Sequence, residues 1–127
     1  MINPKLPALA LLLAACAPHA PAVAPAQRQY LAVWTASADS TQPDFLAILD
    51  VTEDSARYGH LVTTLPVSGL GNGPHHTEHE MPADGQLFAN GFKSGRSFIF
   101  DLKDPTHPRV AGEFGEVDGY MHPHSYL

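Results

Sequence analysis

The sequence predicts an all-β chain, about two blades of a β-propeller, and three observations predict it. Six short segments are rich in β-branched and aromatic residues and are separated by turn formers. No stretch beyond the N-terminal leader shows sustained helical periodicity. The segments also recur, since Asp50-Val51 and Asp101-Leu102 each close a hydrophobic strand and lie 51 positions apart.

Taken in order, the first strands are Tyr30-Leu31-Ala32-Val33-Trp34-Thr35, Phe45-Leu46-Ala47-Ile48-Leu49-Asp50-Val51 and Leu61-Val62-Thr63-Thr64-Leu65. The second set is Gln86-Leu87-Phe88-Ala89-Asn90, Ser97-Phe98-Ile99-Phe100-Asp101-Leu102 and Arg109-Val110-Ala111-Gly112-Glu113-Phe114. In each set a polar loop follows the Asp-ended strand and leads into another strand, and the first strands of the two sets keep a similar offset. A period of roughly 40 to 50 residues with three or four short strands per unit is the pattern of propeller blades. Two tandem hairpin pairs in a small sandwich would share it. The chain stops at Ser125-Tyr126-Leu127, where a third unit begins, whereas propellers close with about four to eight blades. The expectation is therefore an N-terminal piece of a longer protein.

Residues 1–15 read as a signal peptide: Lys5 precedes the run Leu9-Ala10-Leu11-Leu12-Leu13-Ala14-Ala15, too short to span a bilayer but suited to a signal core. The run meets the single cysteine, and Leu13-Ala14-Ala15-Cys16 resembles a bacterial lipobox, which makes Cys16 the expected lipidation site. An ordinary signal peptide with an incidental cysteine is the plainer reading. Residues 16–28 form a lipidated tether, because the repeated prolines of Pro18, Pro21 and Pro25 favour extended conformations and bury nothing. The expected location is the periplasmic side of a bacterial membrane, which the protein touches only through its lipid anchor. Residues 29–127 hold one small core.

Charge narrows the partners. The chain carries a net charge of −6, and loss of Lys5 with the leader makes it −7. Nucleic acid is excluded as an expected partner, because phosphate binding needs clustered Lys and Arg, and these are scattered here.

Five of the eight histidines fall in two runs, Pro74-His75-His76-Thr77-Glu78-His79-Glu80 and Met121-His122-Pro123-His124. Imidazole suits copper, zinc and iron, so His75, His76, His79, His122 and His124 are the expected metal ligands. Glu78 and Glu80 are expected to accept a ring N–H and orient a ligating histidine. Met81 and Met121 read as packing, and isolated His60 and His107 as hydrogen-bonding surface residues. His75 and His122 are 47 positions apart, close to the repeat, so both clusters are expected to face one central region. His75-x-x-Glu78-His79 also matches an inverted zinc-peptidase pattern, but that motif works on a helix, and Pro74 and Pro82 leave it under two turns.

Tyr30-Leu31-Ala32-Val33-Trp34-Thr35, Pro43-Asp44-Phe45-Leu46-Ala47, the Asp50-Val51 strand end, Leu65-Pro66-Val67-Ser68-Gly69-Leu70-Gly71, Pro74-His75-His76-Thr77 and Gly95-Arg96-Ser97-Phe98-Ile99-Phe100-Asp101-Leu102 together resemble the start of the selenium-binding protein family, which includes methanethiol oxidases. The likeness runs over nearly all of residues 29–127. It implies a longer chain forming a seven-bladed propeller with histidines near its axis. For the methanethiol oxidases it implies copper-dependent oxidation of methanethiol to formaldehyde, hydrogen sulfide and hydrogen peroxide. His75 and His76 match the family's paired histidines, and His122 or His124 falls where a further histidine opens the next blade. Better-known members follow the pair with a cysteine-containing segment tied to selenium binding, where this chain reads Thr77-Glu78-His79-Glu80-Met81-Pro82.

The resulting expectation is an exported lipoprotein with histidine-bound copper, zinc being the alternative metal, acting on a small thiol. A non-catalytic propeller that binds a partner or carries metal is the competing class.

Overall fold

The computed structural model describes residues 27–78 and 80–126. The leader, Cys16, most of the tether, His79 and Leu127 lie outside the described residues. The all-β expectation holds: seven strands and no helix occur among the described residues, in two antiparallel sheets. The first sheet runs β1 (Tyr30–Thr35), β2 (Phe45–Asp50), β3 (Leu61–Pro66), and the second runs β4 (Pro74–Thr77), β5 (Gln86–Gly91), β6 (Arg96–Asp101), β7 (Arg109–Phe114), each in sequence order.

The repeat is visible in register. The pairing of β2 with β3 shifts between Ile48 and Leu49, and that of β6 with β7 shifts between Ile99 and Phe100, again 51 positions on. Each middle strand ends in an aspartate whose Oδ1 accepts a backbone N–H two residues later, from Thr52 at 2.9 Å and from Lys103 at 3.1 Å. These bonds to the ionised form hold both carboxyls below the usual range, the backbone N–H being the largest cause in each case. The offset does not extend upstream. Tyr30 and Gln86 open equivalent strands 56 positions apart, because the loop 36–44 is longer than the loop 92–95.

The core lies between the sheets. Leu46 and Ile48 of β2 meet Leu87 and Ala89 of β5 and Phe98 and Phe100 of β6, all buried, with Trp34 packed against the cluster. The Trp34 ring lies 5.4 Å from that of Phe98 and 5.6 Å from that of Phe100. Its Nε1–H donates to the Asn90 carbonyl at 2.8 Å, tying one sheet to the other. Burial of aromatic and aliphatic side chains here contributes about 1.5–3 kcal/mol each.

The two sheets use opposite faces. Shifted by 51 positions, Leu46 and Ile48 correspond to Ser97 and Ile99, yet the core residues of β6 are Phe98 and Phe100. Side chains alternate along a strand, so the first sheet presents one face of the unit and the second presents the other. A face-to-face sandwich of like surfaces would not do this. Head-to-tail stacking of repeated sheets does.

Candidate metal centre

β4 is the element that the sequence reading does not contain, and it carries the histidine pair. Pro74 pairs with Gly91 and Thr77 with Ala89, so two residues, His75 and His76, stand opposite the single residue Asn90. That is a β-bulge. Neighbours on a regular strand point to opposite faces, and the bulge relieves this rule, leaving the two imidazole rings 4.3 Å apart between centroids.

Backbone contacts fix the bulge. The His76 N–H donates to Asn90 Oδ1 at 2.7 Å, in place of a ladder bond. The Phe88 N–H donates to Glu78 Oε2 at 2.6 Å, a second side-chain substitute for the ladder. Upstream, Asp44 is buried and accepts from the Ser37 N–H at 3.0 Å and the Gly73 N–H at 3.3 Å, which ties the entry to β4 to the first sheet. Gly73 has φ +69 and a Cβ there would stand 2.7 Å from Lys93 Cγ, so this entry requires glycine.

The third histidine arrives from the C-terminal segment 121–126, which forms no strand. The His124 ring lies 4.4 Å from that of His76 and 5.3 Å from that of His75. One nitrogen from each of His75, His76 and His124 falls within 4.8 Å of the others. Tetrahedral sites with metal–nitrogen bonds near 2.0–2.1 Å place their nitrogens roughly 3.3 Å apart, so this group fits a transition metal after modest side-chain rotation. Exposure of His75 and His124 leaves that rotation free of core packing. Phe92 walls the group, 5.2 Å from the His75 ring and 6.1 Å from that of His124.

Other expected site residues stand elsewhere. His122, at φ 57, donates from Nδ1 to the Phe92 carbonyl at 2.8 Å and packs over Gly95, outside the three-histidine group. Glu78 spends a carboxylate oxygen on the Phe88 N–H, and exposed Glu80 lines a neighbouring cavity with Pro82, Asp84, Phe88 and Tyr126. His79 lies outside the described residues.

Asn90 is the residue that sequence reasoning missed. It is 1% exposed, and its amide Nδ2 donates to the carbonyls of Pro123 at 2.7 Å and His124 at 3.0 Å while its Oδ1 holds His76. The available signal was an amide closing the otherwise apolar run Leu87-Phe88-Ala89. Across β5–β6 it pairs with Ser97, whose Oγ accepts from the Tyr126 hydroxyl at 2.6 Å. Burial raises the Tyr126 phenol above its usual value, with Glu78 adding to the rise and the Ser97 bond opposing it.

No family model matches the sequence. A methanethiol oxidase from Hyphomicrobium sp is 33% identical over 114 residues, which is 86% of this chain and 26% of that protein. In fold, the chain is similar to the X-ray structure of a hypothetical selenium-binding protein from Sulfolobus tokodaii, with a TM-score of 0.61 and 22% identity over 82% of this chain and 27% of that one. The chain belongs to the selenium-binding protein family. It spans about a quarter of the length of these relatives. Within the family, it carries its histidine pair on a bulged strand and no cysteine after Cys16.

Proposed function

We propose that His75, His76 and His124 form part of a copper centre in an exported, lipid-anchored protein that oxidises a small thiol in the manner of a methanethiol oxidase. The observation that carries this is the group of three imidazole nitrogens within 4.8 Å, in a chain whose relative is a methanethiol oxidase. The donor set is imidazole alone, which suits copper and zinc equally. Copper is preferred because thiol oxidation needs an electron acceptor, and zinc has no redox chemistry. Bound copper would supply that one-electron chemistry. The chain's own residues would hold the ion from two strand positions and one segment position, with Phe92 limiting water on one side.

The same proposal reads the two sheets as consecutive blades of a seven-bladed propeller, with residues 1–15 as leader and Cys16 as the lipid attachment point. Opposite-face stacking supports the propeller, since each blade would meet its two neighbours with different faces. A transition metal shared with other blades would explain why three ligands gather here among the described residues.

The test is metal content. The chain without its leader, loaded with copper or zinc, is expected to bind one equivalent, and His75→Ala/His76→Ala is expected to abolish it. Unchanged binding by the double variant would remove these histidines from any site. Copper-loaded protein inert towards methanethiol would leave the metal-carrying reading in place of the oxidase. Mass spectrometry of the N-terminus of exported protein, with Cys16→Ser as control, tests the anchor.

A further inference from the structure

We propose that Asn90 and Ser97 are positioning residues, a buried polar latch that docks residues 123–126 on the second sheet and so delivers His124 to His75 and His76. This rests on the metal-site reading above and adds to it the device that assembles the site from two distant stretches of chain.

The repeat shows that the latch is a departure from the unit's plan. In the first sheet Trp34 pairs across the strands with Leu46, and in the second Asn90 pairs with Ser97 at the equivalent place. Trp34 and Leu46 look onto the next sheet and join the core. Asn90 and Ser97, 1% and 0% exposed, look onto the C-terminal segment. Burying an amide and a hydroxyl where the repeat uses apolar groups is costly unless each finds a partner. Here every partner lies on the site or on the docked segment: the Asn90 amide bonds His76 on one side and the carbonyls of Pro123 and His124 on the other, and Ser97 Oγ accepts from the Tyr126 hydroxyl.

Three hydrogen bonds join the segment to the latch, two from the Asn90 amide and one from the Tyr126 hydroxyl to Ser97, against one from His122 Nδ1 to the Phe92 carbonyl. Its other holds include ring contacts, 5.9 Å and 6.1 Å from Phe92 to His122 and His124 and 5.6 Å from Phe88 to Tyr126. The latch therefore supplies most of the segment's polar attachment. Apparent metal affinity scales with the fraction of chains whose segment is docked. One neutral hydrogen bond corresponds to roughly two- to tenfold in that equilibrium.

The experiment titrates the full chain with Cu(II) and counts coordinated nitrogens by electron paramagnetic resonance. Asn90→Asp keeps the acceptor for the His76 N–H but turns an oxygen towards the two carbonyls. It is expected to weaken Cu(II) binding by about 5- to 100-fold, the effect of two hydrogen bonds, and to cost one coordinated nitrogen, as His124→Ala does. Added to His124→Ala, it is expected to do nothing further. The same weakening in the His124→Ala background would mark Asn90 as a general structural residue and overturn the proposal, as would an unchanged affinity in the single variant. Tyr126→Phe, a change on the segment itself, is expected to weaken binding roughly two- to tenfold with the nitrogen count kept; it decides the matter if Asn90→Asp fails to fold, and no effect then overturns the latch. If the unmodified chain binds no copper, the metal reading fails on its own. The latch is then judged in the metal-free chain by the nuclear Overhauser contact between the His76 and His124 rings, expected to vanish in Asn90→Asp and overturning the proposal if it stays.

Discussion

The first sheet and the last three strands of the second are one design used twice. Both have a middle strand ending in aspartate, the same register shift before that end, and the same turn built on the carboxylate. Beyond the longer loop 36–44 and the opposite buried face, they differ in two places. The second sheet has an extra strand, β4, and its Asn90 and Ser97 stand where the first has Trp34 and Leu46. Both differences belong to the histidine group. The shared parts make the scaffold and the departures make the site, which is how a repeated architecture acquires chemistry without losing its packing.

Substitution at equivalent positions tests the comparison. The largest effect belongs to Phe100→Ala, which is expected to cost about 3–5 kcal/mol in chemical denaturation. Leu49→Ala, the equivalent change in the first sheet, is expected to cost only about 1–2 kcal/mol, because that side chain lies half-buried on the other face. Equal losses would refute opposite-face stacking. Next comes Trp34→Phe, which removes the indole bond to the Asn90 carbonyl and part of the ring contact with Phe98 and Phe100. It is expected to cost about 1–2 kcal/mol in the same assay. The smallest effect concerns the paired turns. The carboxyls of Asp50 and Asp101 are lowered, so their stabilisation is present above the usual carboxylate pKa and is lost as pH falls through the lowered values. Unfolding midpoints measured from neutral pH down to about 2 are expected to fall below about pH 4. Asp50→Asn is expected to flatten that limb more than Asp101→Asn, because Asp50 is 1% exposed and also bonds the Ser55 hydroxyl.

Strands whose side chains alternate against a core were legible in the sequence. Phe45-Leu46-Ala47-Ile48-Leu49 and Ser97-Phe98-Ile99-Phe100 announce themselves by composition, and their Asp ends give the repeat. β4 was not legible, because Pro74-His75-His76-Thr77 has no apolar alternation and is held by side-chain bonds, the His76 N–H donating to Asn90 of β5 and the Phe88 N–H of β5 donating to Glu78 just after β4. The approach of the two histidine runs followed from the repeat, but the choice between His122 and His124 did not. That choice depends on the positive φ of His122 and its bond to the Phe92 carbonyl, neither of which spacing encodes. Likewise the offset of 51 was assigned to whole units, while the longer loop 36–44 breaks it upstream.

The bulge at His75 and His76 makes the pair depend on chain length rather than on residue chemistry. Inserting one residue beside Asn90, between Ala89 and Gly91, would restore an unbroken ladder against β4, in which neighbouring positions look in opposite directions. A frame of four residues opposite three thus keeps two imidazoles together, and a gain that left every residue of β4 in place would still part them by geometry. Insertions and deletions, more than point changes, are the variations this strand cannot absorb.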